Sequence, residues 1–329
     1  MTFIFVPSNS HLEAEVSAAE CRTEGYFTLQ ARNRFGRLLR ERTFKVDDYD
    51  RSIGPFHNLI LNQGMDRLST NTSNNTYNRC SVGVGTLAPA VTQTALANFV
   101  SDMGTPSTTN GTGPAPEYYS WRRITWTTAI GAIPTNNLSE IGVGSSTTNN
   151  NNLFSRELIR DAQGVPTVFP ISSDEQLTVT YELRLYPPLG DTPATITVGA
   201  TSYDTITRAF NIAGNAWGFN SPSGSTANFA ASSGTTFGLY TGDMVENTTA
   251  SNPTGNLGSA SNTSNAAYTP GSYQRDISAT WSITNGNGSI RTARMSYGCA
   301  QFQVRYDPVL VKTNTQTMTL NHRISWARR

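Results

Sequence analysis

The side chains best suited to acid–base or metal chemistry are few and scattered in this sequence. Its three histidines, His11, His57 and His322, are far apart, and none has the spacing that brings two imidazoles to one metal ion. His322 lies in a strand-like stretch, which favours a packed or interface histidine over a general base. We therefore predict neither a catalytic histidine nor a histidine-bound metal.

Paired carboxylates are the second kind of group that could do chemistry. A glycoside hydrolase needs two of them across a groove, and the candidates are Asp174 with Glu175 and the acidic run at residues 47–50. Both lie in turn-like contexts, and the acidic run lacks the spacing of a calcium-binding EF-hand loop. The sequence also lacks nucleophile-elbow, phosphate-loop and dinucleotide motifs. We expect no enzymatic activity, no catalytic residue, no metal and no cofactor.

The cysteines and the apolar runs indicate the compartment. Cys21, Cys80 and Cys299 are widely separated and have no CxxC spacing. They fit neither a disulfide framework nor a zinc site, so we predict small buried side chains in a reducing compartment. No apolar run reaches transmembrane length, and the start of the sequence has no signal-peptide pattern. We expect a chain made in a cytoplasm, without membrane insertion.

Charge argues against a nucleic-acid partner. The 24 basic and 23 acidic residues nearly cancel, and charged residues make up only 14% of the chain. Two of the basic residues are lysines and the rest are arginines, which are densest in the first predicted hairpin. Arginine forks suit carboxylates at subunit contacts, although genomic base composition could produce the same bias. The candidate subunit-contact arginines are Arg32, Arg34, Arg37, Arg40 and Arg42.

Aromatic side chains in polar segments are the remaining candidates for binding. Tyrosine and tryptophan rings can stack on sugars and are common at protein interfaces. Residues 214–270 are rich in Gly, Ser, Thr and Asn but still contain aromatics, which indicates short strands between ordered loops at the surface. The candidate receptor- or partner-contact residues are Tyr118, Tyr119, Trp121, Trp217 and Tyr240.

The elements that must position these side chains are mostly strands. Low charge and abundant Thr, Tyr, Phe and Val exclude a coiled coil and favour β structure. Alternating runs flank a turn signal at residues 33–36, and another runs from Gln176 to Tyr186. Short helices are predicted at residues 56–68 and 88–103. The predicted fold class is all-β with few short helices: a β-sandwich core and a second β-rich, loop-rich region.

The C-terminal portion is again rich in strands. Runs at residues 276–283 and 289–297 flank two Asn-Gly steps at residues 285–288, which predict a hairpin turn. One face of the last predicted strand carries Met318, Leu320, His322, Ile324 and Trp326. We divide the chain into residues 1–50, an N-terminal β-hairpin or arm; residues 51–190, a β-sandwich core with two short helices; residues 191–274, a Gly/Ser/Thr/Asn-rich β insertion; and residues 275–329, strands that complete a sheet.

A series of motifs resembles a known protein family. Residues 56–68, FHNLILNQGMDRL, are similar to the F-x-N-L-I-x-x-x-G-L-x-x-L stretch of tail and tail-fibre-type virion proteins of double-stranded DNA bacteriophages. Residues 80–96 are similar to that family's VGTG…P…T-x-T-x-L pattern, and residues 312–328 resemble its closing K-T-x-T-x-x-L-x-L-x-x-x-x-S-W-x-R. Further similar segments are residues 140–144, 153–156, 174–181 and 306–308, whereas roughly residues 190–270 have no counterpart.

The resemblance implies a non-enzymatic structural protein of the virion's distal tail, as a tail-fibre or baseplate component. It implies a homo-oligomer, with trimers common in fibres, that contacts other tail proteins and contributes to attachment to a bacterial surface receptor. It carries over no catalytic residue, because the matched positions look like scaffold. A receptor-contacting tip or a neighbour-specific loop is expected in residues 190–270. Two alternatives stay open: a capsid decoration protein, and a carbohydrate-binding or depolymerase tailspike.

Overall fold

The residues that the computed structural model describes are nearly all β, with 57% strand, 2% helix and one short helix. This confirms the all-β fold class. Along many strands buried and more exposed side chains alternate, so that each strand turns one face to the interior. The structure describes residues 10–43, 58–69, 78–145, 152–161, 163–198, 200–213, 217, 229–230 and 237–329.

The elements of these ranges are numbered in chain order. The first half of the chain contains β1 (Ser10–Asn33), β2 (Leu38–Thr43), β3 (Leu59–Ile60), α1 (Asn62–Arg67), β4 (Arg79–Gly83), β5 (Phe99–Met103), β6 (Ser107–Thr112), β7 (Ser120–Thr127), β8 (Asn136–Leu138), β9 (Glu140–Gly144) and β10 (Leu153–Leu158). The second half contains β11 (Phe169–Ile171), β12 (Glu175–Tyr186), β13 (Thr192–Val198), β14 (Thr201–Ala209), β15 (Gly238–Tyr240), β16 (Asn256–Ser259), β17 (Asn262–Asn265), β18 (Gln274–Trp281), β19 (Gly288–Ser296), β20 (Gln301–Lys312) and β21 (Gln316–Arg328).

The largest sheet has eight strands in the order β17-β18-β21-β1-β12-β7-β6, with β2 paired to β1. Strand β1 runs parallel to β21, from Ser10 opposite Gln316 to Thr23 opposite Arg328. The same strand runs antiparallel to β12 over residues 22–33. Because β1 pairs with both neighbours, it joins the two halves of this sheet.

Three further sheets complete the described part of the chain. A six-stranded sheet has the order β13-β14-β20-β19-β15-β16, and a five-stranded sheet has the order β3-β10-β9-β4-β5. Strands β8 and β11 form a two-stranded ribbon. Strands from both sides of the division at residue 274 pair with each other. Strands β13 to β16 share a sheet with β19 and β20, and β17 pairs with β18.

One continuous hydrophobic core joins the two large sheets. Trp326 of β21 stacks on Phe229 with ring centroids 4.7 Å apart, and Phe302 of β20 lies 5.8 Å from the ring of His322 in β21. Burial of each large apolar side chain contributes roughly 1.5–3 kcal/mol. Two sheets that share one core are the arrangement expected of a β-sandwich.

Several local predictions are confirmed. The turn after β1 is closed by the amide of Gly36, which donates to the carbonyl of Asn33 at 2.9 Å. The strand predicted from Gln176 to Tyr186 is β12. All five residues predicted to share one face of the last strand are buried: Met318, Leu320, His322, Ile324 and Trp326.

The helix predicted at residues 88–103 is wrong. Residues 99–103 form β5, which pairs with β4, and the segment before β5 is irregular. The amides of Ala97 and Asn98 donate to the carboxylate of Glu140, both within 3 Å. A side chain more than 40 positions away therefore accepts the hydrogen bonds of these backbone amides. The local spacing of apolar residues contains no information about such a distant partner.

The helix predicted at residues 56–68 is shorter than expected. Helix α1 covers only Asn62–Arg67, and Leu59–Ile60 form β3, which pairs with β10. Residues 56 and 57 lie outside the described part of the chain. Pairing with a distant strand competes here with the helical pattern, because the apolar residues of this segment serve both arrangements.

The turn predicted at residues 285–288 exists, but it does not close a hairpin. Gly286 and Gly288 have φ values of 71° and 138°, as the Asn-Gly steps suggested. The flanking strands belong to different sheets, because β18 pairs with β21 and β19 pairs with β20. Local turn chemistry fixes the reversal of the chain, whereas burial decides which sheet each strand joins.

Candidate functional site

Two of the predicted contact aromatics are core residues. Trp217 is 1% exposed and Tyr240 is 5% exposed, which corrects the expectation that they reach a receptor or partner. The indole of Trp217 donates to the carbonyl of Phe210 at 2.6 Å, and its ring packs edge-on against Phe302. In a segment with few large apolar side chains, these rings are the surface that gains most from leaving water.

The other three predicted aromatics lie together near the start of β7. Tyr118, Tyr119 and Trp121 are all partly exposed. The ring of Tyr119 lies 5.3 Å from that of Tyr186, and the guanidinium of Arg184 lies 4.4 Å from the centroid of Tyr119. The structure thus brings this part of the predicted contact set to the end of β12.

Polar groups surround these aromatics. The hydroxyl of Tyr186 donates to Glu24 at 2.8 Å. The Arg329 guanidinium lies 4.2 Å from the centroid of the Tyr186 ring and pairs with Glu117 at 2.6 Å. Burial, together with the charge of Glu24, raises the pKa of Tyr186 to about 12. The tyrosine therefore stays protonated and remains a donor at neutral pH.

Two surface pockets share Arg329 at this end of the eight-stranded sheet, and we call them together the Arg329 groove. The larger pocket has a volume of about 400 Å³ and the smaller one of about 210 Å³. The walls of the larger pocket include Glu117, Tyr118, Tyr186, Pro187, Pro188 and Leu189. The walls of the smaller pocket include Glu24, Asn58, Pro89, Glu157, Arg160 and Arg328.

The smaller pocket contains polar groups that are almost fully buried. Asn58 is 4% exposed, and neither its Oδ1 nor its Nδ2 has a hydrogen-bond partner. Burial raises the pKa of Glu157, although the amide of Leu158 and the guanidinium of Arg160 act in the opposite direction. A buried polar group without a partner costs about 1–3 kcal/mol. Asn58 is therefore a buried and unsatisfied polar group in the wall of this pocket.

The candidate subunit-contact arginines lie on the hairpin of β1 and β2. Arg32 donates to the carbonyl of Gly36 at 3.0 Å, and Arg40 forms an ion pair with Glu175. These two guanidinium groups are therefore engaged within the chain. Arg42 belongs to β2, but its side chain lies outside the described part of the structure.

Residues 34–39, which we call the hairpin tip, expose both charged and apolar side chains. Arg34 and Arg37 are exposed, and the Arg34 guanidinium lies 4.9 Å from the centroid of the Phe35 ring. Phe35 is 79% exposed, and Leu38 and Leu39 are 40% and 41% exposed. Exposed apolar clusters rimmed by polar groups are typical of interaction sites.

A fully buried ion pair organises the five-stranded sheet. Arg156 of β10 donates to Glu140 of β9 at 2.7 Å, and both side chains have 0% exposure. Glu140 also accepts hydrogen bonds from the amides of Gly85, Ala97 and Asn98. Burial alone would raise the pKa of Glu140, but the amides of Asn98 and Ala97 and the guanidinium of Arg156 hold it below its ordinary value. The pair fixes an irregular loop, and nothing in its geometry opens to a ligand.

His322 packs between the two large sheets. It is 1% exposed, its Nδ1 shares a hydrogen bond with the hydroxyl of Tyr297, and its Nε2 is buried without a partner. Burial lowers its pKa to about 3, with a smaller opposite effect from Asp276. His322 is therefore neutral near pH 7 and is a packed histidine, as predicted.

The described residues contain no group of three or more His, Cys, Asp or Glu side chains that could hold a metal ion. The acidic run at residues 47–50 and His57 lie outside that part of the chain. All three cysteines are buried, as predicted: Cys21, Cys80 and Cys299. In the same ranges, every helix is too short or too polar to span a membrane.

Sequence reasoning missed most of the Arg329 groove. Asn58 and Arg328 belong to segments that carry the family resemblance, which is the one signal that could have drawn attention to them. Glu24 and Glu157 lie in strands of different sheets, and Arg329 directly follows β21. Only sheet pairing brings these residues together, and single-sequence patterns do not contain that information.

Comparisons with known proteins return no match: no protein-family model, curated protein or solved structure matches this chain. The resemblance of the motifs therefore stays an expectation.

Proposed function

We propose that this chain is a structural protein of a bacteriophage virion, without enzymatic activity, and that it belongs to the distal tail as a tail-fibre or baseplate component. It would be made in the host cytoplasm and assembled into the tail. There it would bind copies of itself and other tail proteins and contribute to attachment to a host cell. A capsid decoration protein is the first alternative, and a depolymerase tailspike is the second.

The observation that carries the proposal is that the segments of the motif series meet in space. The indole of Trp326 donates to the carbonyl of Met65 at 2.9 Å, and the guanidinium of Arg328 donates to the side chain of Asn62 at 2.7 Å. Arg156 donates to Gln93 at 2.5 Å. These contacts place the matched segments in one packed scaffold, which supports the proposal of a structural role.

The hairpin tip supports the oligomeric part of the proposal. Phe35 is 79% exposed beside two exposed leucines and two exposed arginines. Aromatic residues and arginine are enriched at the centres of protein interfaces, where lysine is depleted. A surface of this composition gains free energy when a partner covers it.

Immunogold electron microscopy tests the location. An antibody raised against the purified chain is applied to particles of the phage that encodes it, with particles of an unrelated phage as the control. We expect gold at the tail tip, along fibres or at the baseplate. Gold over the head would establish the decoration alternative, and an unlabelled particle would contradict any virion role.

A separate assay addresses the depolymerase alternative. Purified chain is incubated with capsule and lipopolysaccharide of the host, and released reducing ends are measured against a heated sample. We expect no release above the heated control. Release that is lost on changing one carboxylate of the Arg329 groove, such as Glu117→Gln, would replace the structural proposal with an enzymatic one.

A further inference from the structure

Strand β6 lies at one end of the eight-stranded sheet and pairs only with β7 among the described strands. The pairing is regular, from Ser107 opposite Thr125 to Thr112 opposite Ser120, with no bulge along its length. The backbone N–H and C=O groups of β6 that point away from β7 therefore have no ladder partner among the described strands. An edge of this kind is a template to which a further strand can add.

Both faces of β6 are in contact with water. Five of its six residues are exposed, and Gly111 is half-buried. The residues opposite its inner face are buried, because Ile124 and Ser120 of β7 are 2% and 1% exposed. The covered interior of the sheet thus ends at β7, and β6 extends beyond it with its outer edge open.

The sequence of β6 contains none of the usual protections of an edge strand. Natural edge strands are protected by charged residues, proline, bulges or a very short length, whereas β6 has six residues, Ser-Thr-Thr-Asn-Gly-Thr, without charge or proline. A Cβ at position 111 would lie 2.4 Å from the ring of Trp121, so Gly111 makes room for that ring and not for a bulge.

Every other edge strand in the described part of the chain carries at least one of these protections. In the eight-stranded sheet, β17 has only four residues, and β2 contains three charged residues and a register shift in its pairing. In the five-stranded sheet, β3 has two residues, and β5 contains Asp102 and a register shift. In the six-stranded sheet, β13 contains Pro193 and β16 has four residues. The strands of the two-stranded ribbon have three residues each.

This contrast identifies the partner of β6. A strand that adds to β6 must itself have an open edge, and among the described strands of identical chains that edge is the β6 of a second copy. A two-fold axis normal to the sheet makes the pair antiparallel, so odd-numbered residues face odd-numbered ones and even-numbered residues face even-numbered ones. Every cross-strand pair then joins neutral side chains, and no like charges meet.

The same sheet already contains cross-strand contacts of the type that β6 would form. Hydroxyl groups of facing threonines are hydrogen-bonded between β7 and β12 at 3.0 Å and between β18 and β21 at 2.9 Å. Pairs of this kind stabilise antiparallel strands. A strand with three threonines and one serine can therefore form them with its own copy.

We propose that two copies of the chain associate through their β6 strands, antiparallel about a two-fold axis, so that two eight-stranded sheets become one continuous sheet. This rests on the proposed function, in which copies of the chain bind one another, and it names the strand through which they do so. The hairpin tip lies between β1 and β2 and is a separate surface, so both contacts can occur in one assembly.

Hydrogen exchange of the whole unaltered chain tests the contact at a series of protein concentrations. The amides of β6 should exchange more slowly as the concentration rises, because pairing gives the open edge new hydrogen bonds. The amides of β17, at the opposite end of the same sheet, should keep a constant rate. Exchange of β6 that does not depend on concentration overturns the proposal.

Charge at position 109 tests whether β6 pairs with itself. Thr109 is exposed and central in the strand, so about the two-fold axis it lies opposite its own copy or diagonal to it. Thr109→Lys and Thr109→Glu each place like charges at the contact and should weaken association by about tenfold or more. An equimolar mixture of the two variants should restore association, because opposite charges then meet. A mixture that stays as weak as the single variants contradicts a contact between two β6 strands.

Sedimentation velocity measures association of these variants in chains that also carry Phe35→Asp, which removes the contribution of the hairpin tip. Ser264→Lys and Ser264→Glu are the matched controls, because Ser264 is an exposed hydroxyl residue of the edge strand β17. Each control should change association by less than about twofold. A Phe35→Asp chain that is monomeric at every concentration overturns the proposal.

These assays separate the pairing of β6 from the location of the protein. They use the purified chain, so β6 pairing can fail while gold still labels the tail. The tail location can equally fail while the β6 strands still pair.

Discussion

Charged side chains are usually exposed and apolar side chains are usually buried, and two regions of this molecule depart from that distribution. The five-stranded sheet buries charged side chains, and the hairpin tip exposes apolar ones. The sheet buries an arginine and a glutamate completely, whereas the tip exposes a phenylalanine and two leucines. Charged residues are almost never fully buried unless they are paired. Glu140 and Arg156 meet that condition, because they pair with each other and accept or donate further hydrogen bonds within the same chain.

The two regions differ in whether their unusual side chains have partners within the chain. The buried pair has its hydrogen-bond partners within the chain, so its role is structural. The hairpin tip keeps Phe35 79% exposed, so its apolar surface is still in contact with water. The buried charges are therefore already satisfied within the fold, whereas exposed apolar surface of this kind is typical of interaction sites.

Removal of one partner of the buried ion pair should reduce the free energy of unfolding more than any other substitution considered below. Arg156→Met leaves the carboxylate of Glu140 buried without its counter-ion, which should reduce the free energy of unfolding by about 3–5 kcal/mol. Urea denaturation measures the change. The control is Arg323→Met, whose ion pair with Asp276 has side chains 37% and 40% exposed and should contribute less than about 1 kcal/mol. Equal effects would mean that burial does not distinguish the pairs.

The double variant Glu140→Leu/Arg156→Met sharpens this test. Replacement of a buried ion pair by apolar residues is often neutral, but here the carboxylate also accepts the amides of Gly85, Ala97 and Asn98. We expect no recovery relative to Arg156→Met, since three amides lose their acceptor. Full recovery in urea denaturation would show that the loop does not need Glu140.

A methyl group added beside the buried ion pair should cause the next largest loss in the free energy of unfolding. A Cβ at position 85 would lie 2.3 Å from Oε1 of Glu140, so Gly85→Ala must displace the carboxylate. We expect a loss of about 1–3 kcal/mol in urea denaturation. A Cβ at position 190 would meet no atom within 4 Å, so Gly190→Ala is the matched control and should be neutral or slightly stabilising. An unaffected Gly85→Ala would contradict tight packing of this loop.

His322 is intermediate between the buried ion pair and the exposed hairpin tip. It is buried, but only one of its two ring nitrogens has a hydrogen-bond partner. Its folded-state pKa of about 3 lies below the ordinary value of 6.5, so between these pH values the unfolded chain binds more protons. Its contribution to stability is therefore present above pH 6.5 and is lost as the pH falls. From pH 6.5 to 5 we expect a loss of roughly 2 kcal/mol in the free energy of unfolding.

Urea denaturation at a series of pH values measures this loss. His322→Gln should remove most of the slope between pH 6.5 and 5, whereas His11→Gln, at an exposed position, should retain it. A slope that persists in His322→Gln would assign the pH dependence to other groups.

Substitution at the hairpin tip should have the smallest effect on folding and a clear effect on assembly. Phe35→Asp adds charge at a position that is 79% exposed and should change the free energy of unfolding by less than about 0.5 kcal/mol. Light scattering should show a smaller oligomer for this variant. Val165→Asp, at another exposed apolar position, is the control and should keep the mass of the unaltered chain. A monomeric unaltered chain would refute assembly through the tip.

The sequence predicted strands well and their partners poorly. Alternation located β12 and the buried face of β21, and the turn after Asn33 was found from its residue types. The Asn-Gly steps at residues 285–288 predicted a turn correctly but assigned its strands to one hairpin. Alternation reports which face of a strand is buried, and it contains no information about the neighbouring strand.

The candidate site shows the same limit. Tyr118, Tyr119 and Trp121 were found because aromatics stand out in a polar segment, but the same reasoning selected Trp217, which is 1% exposed. Asn58 was not selected, since an asparagine has no special meaning until its unpaired amide is seen in a pocket. Exposure and hydrogen-bond partners depend on tertiary contacts, so composition alone does not give them.

The parallel pairing of β1 with β21 has a consequence for biosynthesis. His11 and Thr317 are hydrogen-bonded neighbours although 306 positions separate them in the chain. At about 5–20 residues per second, a ribosome needs on the order of 15–60 s between these two strands. During that time one edge of β1 has no native partner, and contacts of such long range form slowly. The nascent chain should therefore depend on chaperones, or on a low expression temperature, more than a helical protein of equal length.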